Sequence, residues 1–166
     1  MDNANTDIES LRKAVLNDPR NAELRYLLAA EYAQTGDYDS AVLEFSAAIA
    51  LNPLLHVARF QLGLLHLTLG QPHHTTAVLA PLESLDDTAF LKHFKRGLES
   101  LIRDDFAASL DSLEKGIELN TTLPPLNKDM RLLIERINGA LAEQKQSAAG
   151  AEPVRTDFSL YGMTKH

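Results

Sequence analysis

Cysteine and tryptophan are both absent from this 166-residue chain. Without thiols there is no disulfide framework, no cysteine-based zinc site, no thiol nucleophile and no lipid anchor on an N-terminal cysteine. Positive charge is scarce: 16 Lys and Arg stand against 23 Asp and Glu, a net charge of −7. No basic cluster of five or more residues occurs anywhere. A phosphate backbone demands a concentrated basic face, so nucleic acid is not an expected partner. No apolar run reaches the length of about 18 residues that spans a bilayer, so no membrane partner is expected either. The start, Met1-Asp2-Asn3-Ala4-Asn5-Thr6-Asp7, is acidic and polar, unlike a secretion signal. The expected location is the cytoplasm, unless a leader once preceded this start. Strand-like alternation bounded by hairpin turns is also missing.

What the chain does have is a repeat. Gly36, Gly70 and Asp104 are spaced by 34 residues, and so are Ala29, Gly63 and Gly97. Phe45, Leu79 and Leu113 keep the same spacing, as do Leu51, Leu85 and Leu119, and Pro19 with Pro53. A period of this length means stacked supersecondary units that bury their apolar faces on one another. Between Asp37 and Pro53, apolar residues fall at Tyr38, Ala41, Val42, Phe45, Ala48 and Ile49, the 3–4 spacing of a buried helix face. Asp37 is placed to cap that helix, and Gly36 to end the preceding one in the left-handed conformation. Asp104 takes the glycine's place in the third unit, a less favourable residue there.

With Leu28-Ala29, Tyr32, Gly36, Ala41, Phe45, Ala48 and Pro53, the unit 22–55 resembles the tetratricopeptide repeat. The second unit keeps Leu62-Gly63, Gly70, Leu79 and Leu82, with His66 where Tyr is usual. The third keeps Gly97, Phe106, Leu113, Gly116 and Ile117, with Arg96 and Ser100 in place of Leu and Tyr. Arg25, Arg59 and His93 stand where the family often has Trp. The resemblance spans roughly residues 8–120. It implies an all-α, right-handed superhelical solenoid of antiparallel helix pairs, such as small bacterial three-repeat proteins have. The expected layout is a half repeat at 6–19, repeats at 22–55, 56–89 and 90–121, and a capping helix at 124–146. Thr6-Asp7-Ile8-Glu9 reads as a capping box opening the half repeat. In the capping helix Leu126, Met130, Leu133, Ile134, Ile137 and Leu141 share one face. Residues 147–166 read as a linker followed by an apolar tail.

The resemblance also implies a binding surface. In this family the first helix of each repeat lines the concave side, with its fifth residue pointing inward. Those residues are Tyr26, Phe60 and Phe94, flanked by Ala30, Leu64 and Leu98, by Ala33, Leu67 and Leu101, and by Leu91. Three rings, each able to bury roughly 150–250 Å², would form a larger apolar patch than a monomer usually exposes. The expected occupant is an apolar or amphipathic segment of a protein partner. Phe158, Leu160, Tyr161 and Met163 of the tail are candidates to fill the groove in competition with it, or to be swapped between copies. Chaperone-tail recognition of the carboxylate-clamp kind is not expected, because Tyr26, Ala30, Phe60 and Leu64 occupy positions where such domains carry Lys and Asn.

Catalytic chemistry finds little support. His73-His74 point about 100° apart on a helix, with no third ligand at the right spacing. Asp86-Asp87 and Asp104-Asp105 fall at turns, where Asp caps the next helix. No phosphate loop or nucleophile elbow is present. Neither enzyme activity nor a cofactor is therefore expected. The reading is an adaptor or chaperone-like binding module, with a secretion-system chaperone or a homo-oligomeric assembly subunit as alternatives.

Overall fold

The structure, a computed structural model, describes residues 3–148. They form helices α1 (Asn3–Asn17), α2 (Ala22–Thr35), α3 (Tyr38–Leu51), α4 (His56–Thr68), α5 (Pro72–Leu79), α6 (Phe90–Ile102), α7 (Phe106–Leu119) and α8 (Pro124–Ala148). A 3-10 turn, Ala80–Ser84, follows α5. No strand occurs among the described residues. The chain divides into two compact units: residues 3–66 with 73–79, and residues 67–72 with 80–148.

The period of the sequence reappears as a period of helix starts. First helices begin at residues 22, 56, 90 and 124, and second helices at 38, 72 and 106. The capping helix α8 is therefore the first helix of a fourth register. Asn138 falls 34 residues after Asp104, where the other units turn, yet α8 runs on through it. The turns that do form need a left-handed residue: Gly36 has φ 80°, Gly70 has φ 70°, and Asp104 accepts φ 58°. Asp37 and Asp105 cap the helices that follow, accepting from the amides of Ser40 and Ala108. Asp86 does not cap α6. It accepts from the amide and hydroxyl of Thr88, and the residue before α6 is Ala89, which makes no side-chain cap. Helix α1 is already under way at Asn3, so Thr6 and Glu9 lie inside it and do not open it.

Within each pair a small residue on the first helix receives a large one from the second. A Cβ on Gly97 would stand 2.6 Å from Leu113 Cδ2, and one on Gly63 would collide with Leu79. In the first pair Ala29 and Phe45 hold the same positions, both buried. Twelve residues after each of these glycines, a buried hydroxyl ties the second helix to the first. Thr75 Oγ1 donates to the carbonyl of Gly63 at 3.1 Å, and Ser109 Oγ to that of Gly97 at 2.9 Å. Each such bond contributes about 1 kcal/mol net. Ala41 holds that position in the first pair, with no hydroxyl to donate.

The residues standing in place of the family's Trp share one task. Arg25 Nε donates to the carbonyl of Pro19 (2.9 Å), an Arg59 guanidinium nitrogen to that of Pro53 (3.3 Å), and His93 Nε2 to that of Asp87 (2.7 Å). Each reaches six residues back and closes the turn between units. At the start of α8, Asn127 extends the series by donating to the carbonyl of Asn120 (3.0 Å) and accepting from its side-chain amide (2.8 Å).

The second unit departs at Pro81. A proline lacks an amide hydrogen, and its ring clashes with the carbonyl four residues back. Helix α5 accordingly spans 8 residues, whereas α3 and α7 span 14. The chain tightens into the 3-10 turn, with Leu82 fully buried.

Candidate functional site

The apolar stripe expected along the first helices is mostly core. Phe60, Phe94, Leu98 and Leu101 have no exposed surface, Leu67 keeps 1% and Leu91 6%. These six are corrected: they are packing residues and offer no docking surface. Local geometry gives the reason for Phe94. Its ring lies against Gly116 of α7, where any Cβ would collide with it, and meets Phe90 edge-on at 5.7 Å. Tyr26 likewise turns toward α3, its ring centroid 6.1 Å from that of Phe45. In these two pairs the fifth residue of the repeat thus leans toward its own second helix. For Phe94 the signal was in the sequence, since Gly116 is the small residue opposite it.

Tyr26, Ala30 and Leu64 remain partly exposed. Burial, and to a lesser extent the nearby Glu23, push the Tyr26 hydroxyl above its usual range, which keeps it neutral. Beside Tyr26 sits Leu27, 46% exposed, which the sequence reading passed over. Glu23, Leu27 and Gln34 are exposed along one side of α2. The candidate docking surface thereby shrinks to the outward side of α2, with Leu27 its largest exposed group. The tail candidates Phe158, Leu160, Tyr161 and Met163 lie outside the described residues.

Helix α6 shows charge where the repeat pattern expected apolar residues. Lys95 is buried and bonded to Glu83 (2.9 Å) and Glu99 (2.7 Å), and Arg96 holds the other oxygen of Glu83 at 2.6 Å. Lys92 reaches Asp87 and the carbonyl of Leu85, each at 2.8 Å. The Arg96 hydrogen bond, followed by that of Lys95, lowers the Glu83 carboxyl to about 2. Burial alone would lower Lys95, but its bonds to Glu99 and Glu83 outweigh this and raise it. This network clamps the 3-10 turn to α6. Its cations are already neutralised, so it makes a structural brace and a poor anion site.

His66 is buried and stacks on His74 with ring centroids 5.2 Å apart, while His73 and His74 are exposed. Among the described residues no group of three or more His, Cys, Asp or Glu is arranged to hold a metal ion. None of the described helices is long and apolar enough to cross a membrane.

A family model, the tetratricopeptide repeat, matches residues 22–53. No curated protein gives a significant match. Among solved structures, a crystal structure of MamA superposes with a TM-score of 0.58 at 24% identity, covering 70% of this chain and 68% of that one. MamA residues 41 to the end from Desulfovibrio magneticus RS-1 superposes with a TM-score of 0.60 at 18% identity, covering 88% and 80%. An RS-1 MamA double mutant gives the same values. At these identities the likeness is one of fold. Residues 22–53 are thus a tetratricopeptide repeat, and the helix pairs around it have the fold shared with MamA.

Proposed function

We propose that this chain is a non-catalytic protein-binding module whose docking surface is the outward side of α2. The observation that carries the proposal is Leu27: a large apolar side chain, 46% exposed, on the first helix of the repeat matched by the family model. Half-buried Tyr26 and Ala30 widen that patch. A leucine held in water on a helix otherwise packed into its neighbours gains most by meeting an apolar side chain of another protein. Tetratricopeptide folds serve typically as interaction scaffolds, which supports the class of activity. The bound partner is a peptide or helix with spaced apolar anchors, held in the manner of an adaptor.

Phage-displayed peptides selected on the full chain provide the test. Selected peptides should carry apolar anchors, and Leu27→Glu should weaken them at least tenfold while helicity by circular dichroism stays unchanged. Peptides that bind wild type and Leu27→Glu equally would refute the assignment of this surface.

A further inference from the structure

A second surface stands out on α3. Helices on a protein's surface normally set a charged or polar side against water. The outward arc of α3 carries Leu43, Ser46, Ala47 and Ala50, with Leu43 70% exposed, and Leu54 just past the helix end is 75% exposed. The chain contains its own control. In α7, two repeats on, the equivalents of Leu43, Ser46, Ala47 and Ala50 are Asp111, Glu114, Lys115 and Glu118, all exposed. In α1 they are Glu9, Arg12, Lys13 and Leu16, and after α4 they are the small residues Ala77, Ala80, Pro81 and Ser84. The same outward position is therefore solvated by charge in α7 and left bare on α3.

The bare residues follow a helix-pairing rhythm. Leu43, Ala47 and Ala50 recur at intervals of four and three within α3, the seam of one helix lying along another, and Leu54 lies beyond the helix end. The small residues Ala47 and Ala50 beside Leu43 let a second helix approach closely. Charge selects the occupant. No Lys or Arg occurs between Arg25 and Arg59, whereas Asp37 and Asp39 are exposed at the N-terminal end of α3. Glu44, at the edge of the face, is already held by Arg25 at 2.7 Å. A second copy of α3 would bring more carboxylates and no cation. Laid parallel, it would set Asp39 against Asp39; laid antiparallel, it would set Asp39 against the negative end of the helix dipole.

We propose that the outward face of α3 docks an amphipathic helix of another protein. That helix carries leucine and alanine on its inner seam and lysine or arginine at the end that meets Asp37 and Asp39. This site is independent of the α2 surface.

The probe is a synthetic 21-residue helical peptide with a Leu/Ala heptad seam and three lysines at its C-terminal end, beside a twin carrying glutamates there. The protein variants are Leu43→Asp/Ala47→Lys/Ala50→Glu, which copy the outer residues of α7 and are compatible with a folded second helix, and Leu27→Glu. Fluorescence anisotropy should show the lysine peptide binding wild type and Leu27→Glu alike. Affinity should fall at least tenfold in the triple variant, and at least threefold for the glutamate twin. Light scattering should give the same mass for wild type and triple variant. Failure of the lysine peptide to bind wild type, or equal binding by the triple variant, overturns the proposal. So does a wild-type dimer that the triple variant dissolves, which would make a second copy the occupant.

Discussion

Gly97→Ala pits two physical effects against each other, and the structure decides the sign. Helix propensity alone favours the change, because alanine in a helix interior is about 1 kcal/mol better than glycine. Packing opposes it. The new methyl would sit 2.6 Å from Leu113 Cδ2, 2.7 Å from Leu113 Cγ and 3.4 Å from the Leu113 backbone nitrogen. Rotating the leucine moves its methyls but leaves Cγ close to the intruder, and the backbone nitrogen limits retreat of the helix. Overpacking of this kind costs about 1–3 kcal/mol. The net expectation is a loss of up to about 2 kcal/mol, or up to roughly 8 °C in melting temperature for a chain of this size. The first repeat suggests the rescue, since it pairs Ala29 with Phe45 at the equivalent positions. A flat ring presents less bulk to a facing methyl than a branched γ-carbon does. Adding Leu113→Phe to Gly97→Ala should therefore recover most of the loss, with a coupling of at least about 1 kcal/mol for residues in contact. Urea denaturation followed by circular dichroism at 222 nm measures all three variants. If Gly97→Ala alone raises the midpoint, propensity has won and the close approach of α6 and α7 carries no energetic weight.

Other expectations rest on single contacts. Asn127→Ala removes bonds to Asn120 and leaves the buried Asn120 amide short of a partner, so stability should fall by about 1–3 kcal/mol in the same assay. Asp104→Gly should stabilise by roughly 0.5–1 kcal/mol, because it relieves a non-glycine residue at φ 58°; an unchanged midpoint would mean that the aspartate pays no penalty there. Glu83 has its carboxyl lowered to about 2, chiefly by Arg96 and then Lys95. A depressed folded value contributes stability that is present above the ordinary glutamate value of about 4.3. That contribution disappears as pH falls toward 2. Glu83→Gln should flatten the acid limb of the stability curve between about pH 4.5 and 2, measured by urea midpoints at stepped pH. An identical acid limb in the variant would show that the Arg96 and Lys95 bonds do not distinguish folded from unfolded protein.

The helix pairs were legible because they rest on local signals repeated in register. Gly36, Gly70 and Asp104 mark turns through a backbone requirement that few residues satisfy. Asp37 and Asp105 mark helix starts through an oxygen that only short polar side chains place correctly. The extent of α5 was not drawn from the period, although Pro81 stood inside it; the repeat predicts a full second helix, and one missing amide hydrogen overrides it. Helix α8 hid its fourth register because Asn138 sits where a turn residue belongs, and an asparagine permits a turn without forcing one. Whether a chain turns there depends on a following helix to pack against, which no local residue encodes.

The candidate site was harder for a reason visible at Phe94. Periodicity tells which residues share a side of a helix, but a side that faces the hollow and a side that faces the partner helix differ by a fraction of a turn. A large ring settles that ambiguity by falling into whatever space lies opposite, and the opposing residue, Gly116, is 22 positions away on another helix. Reading the two helices as facing rows resolves it: Ala29 with Phe45, Gly63 with Leu79, Gly97 with Leu113, and Phe94 with Gly116 each match small to large. The same row-by-row reading exposes what pairing leaves over. Leu27 and Leu43 have no counterpart in these rows among the described residues and stay exposed, which is why the proposed surfaces are built on them. Arg25, Arg59 and His93 make the converse point. Read one at a time they are departures from the family's Trp, but read as a row they are three donors, each returning to a carbonyl six residues earlier. Chemistry differs along the row while geometry does not, so the repeat selects for what the side chain must reach and leaves open what it is made of.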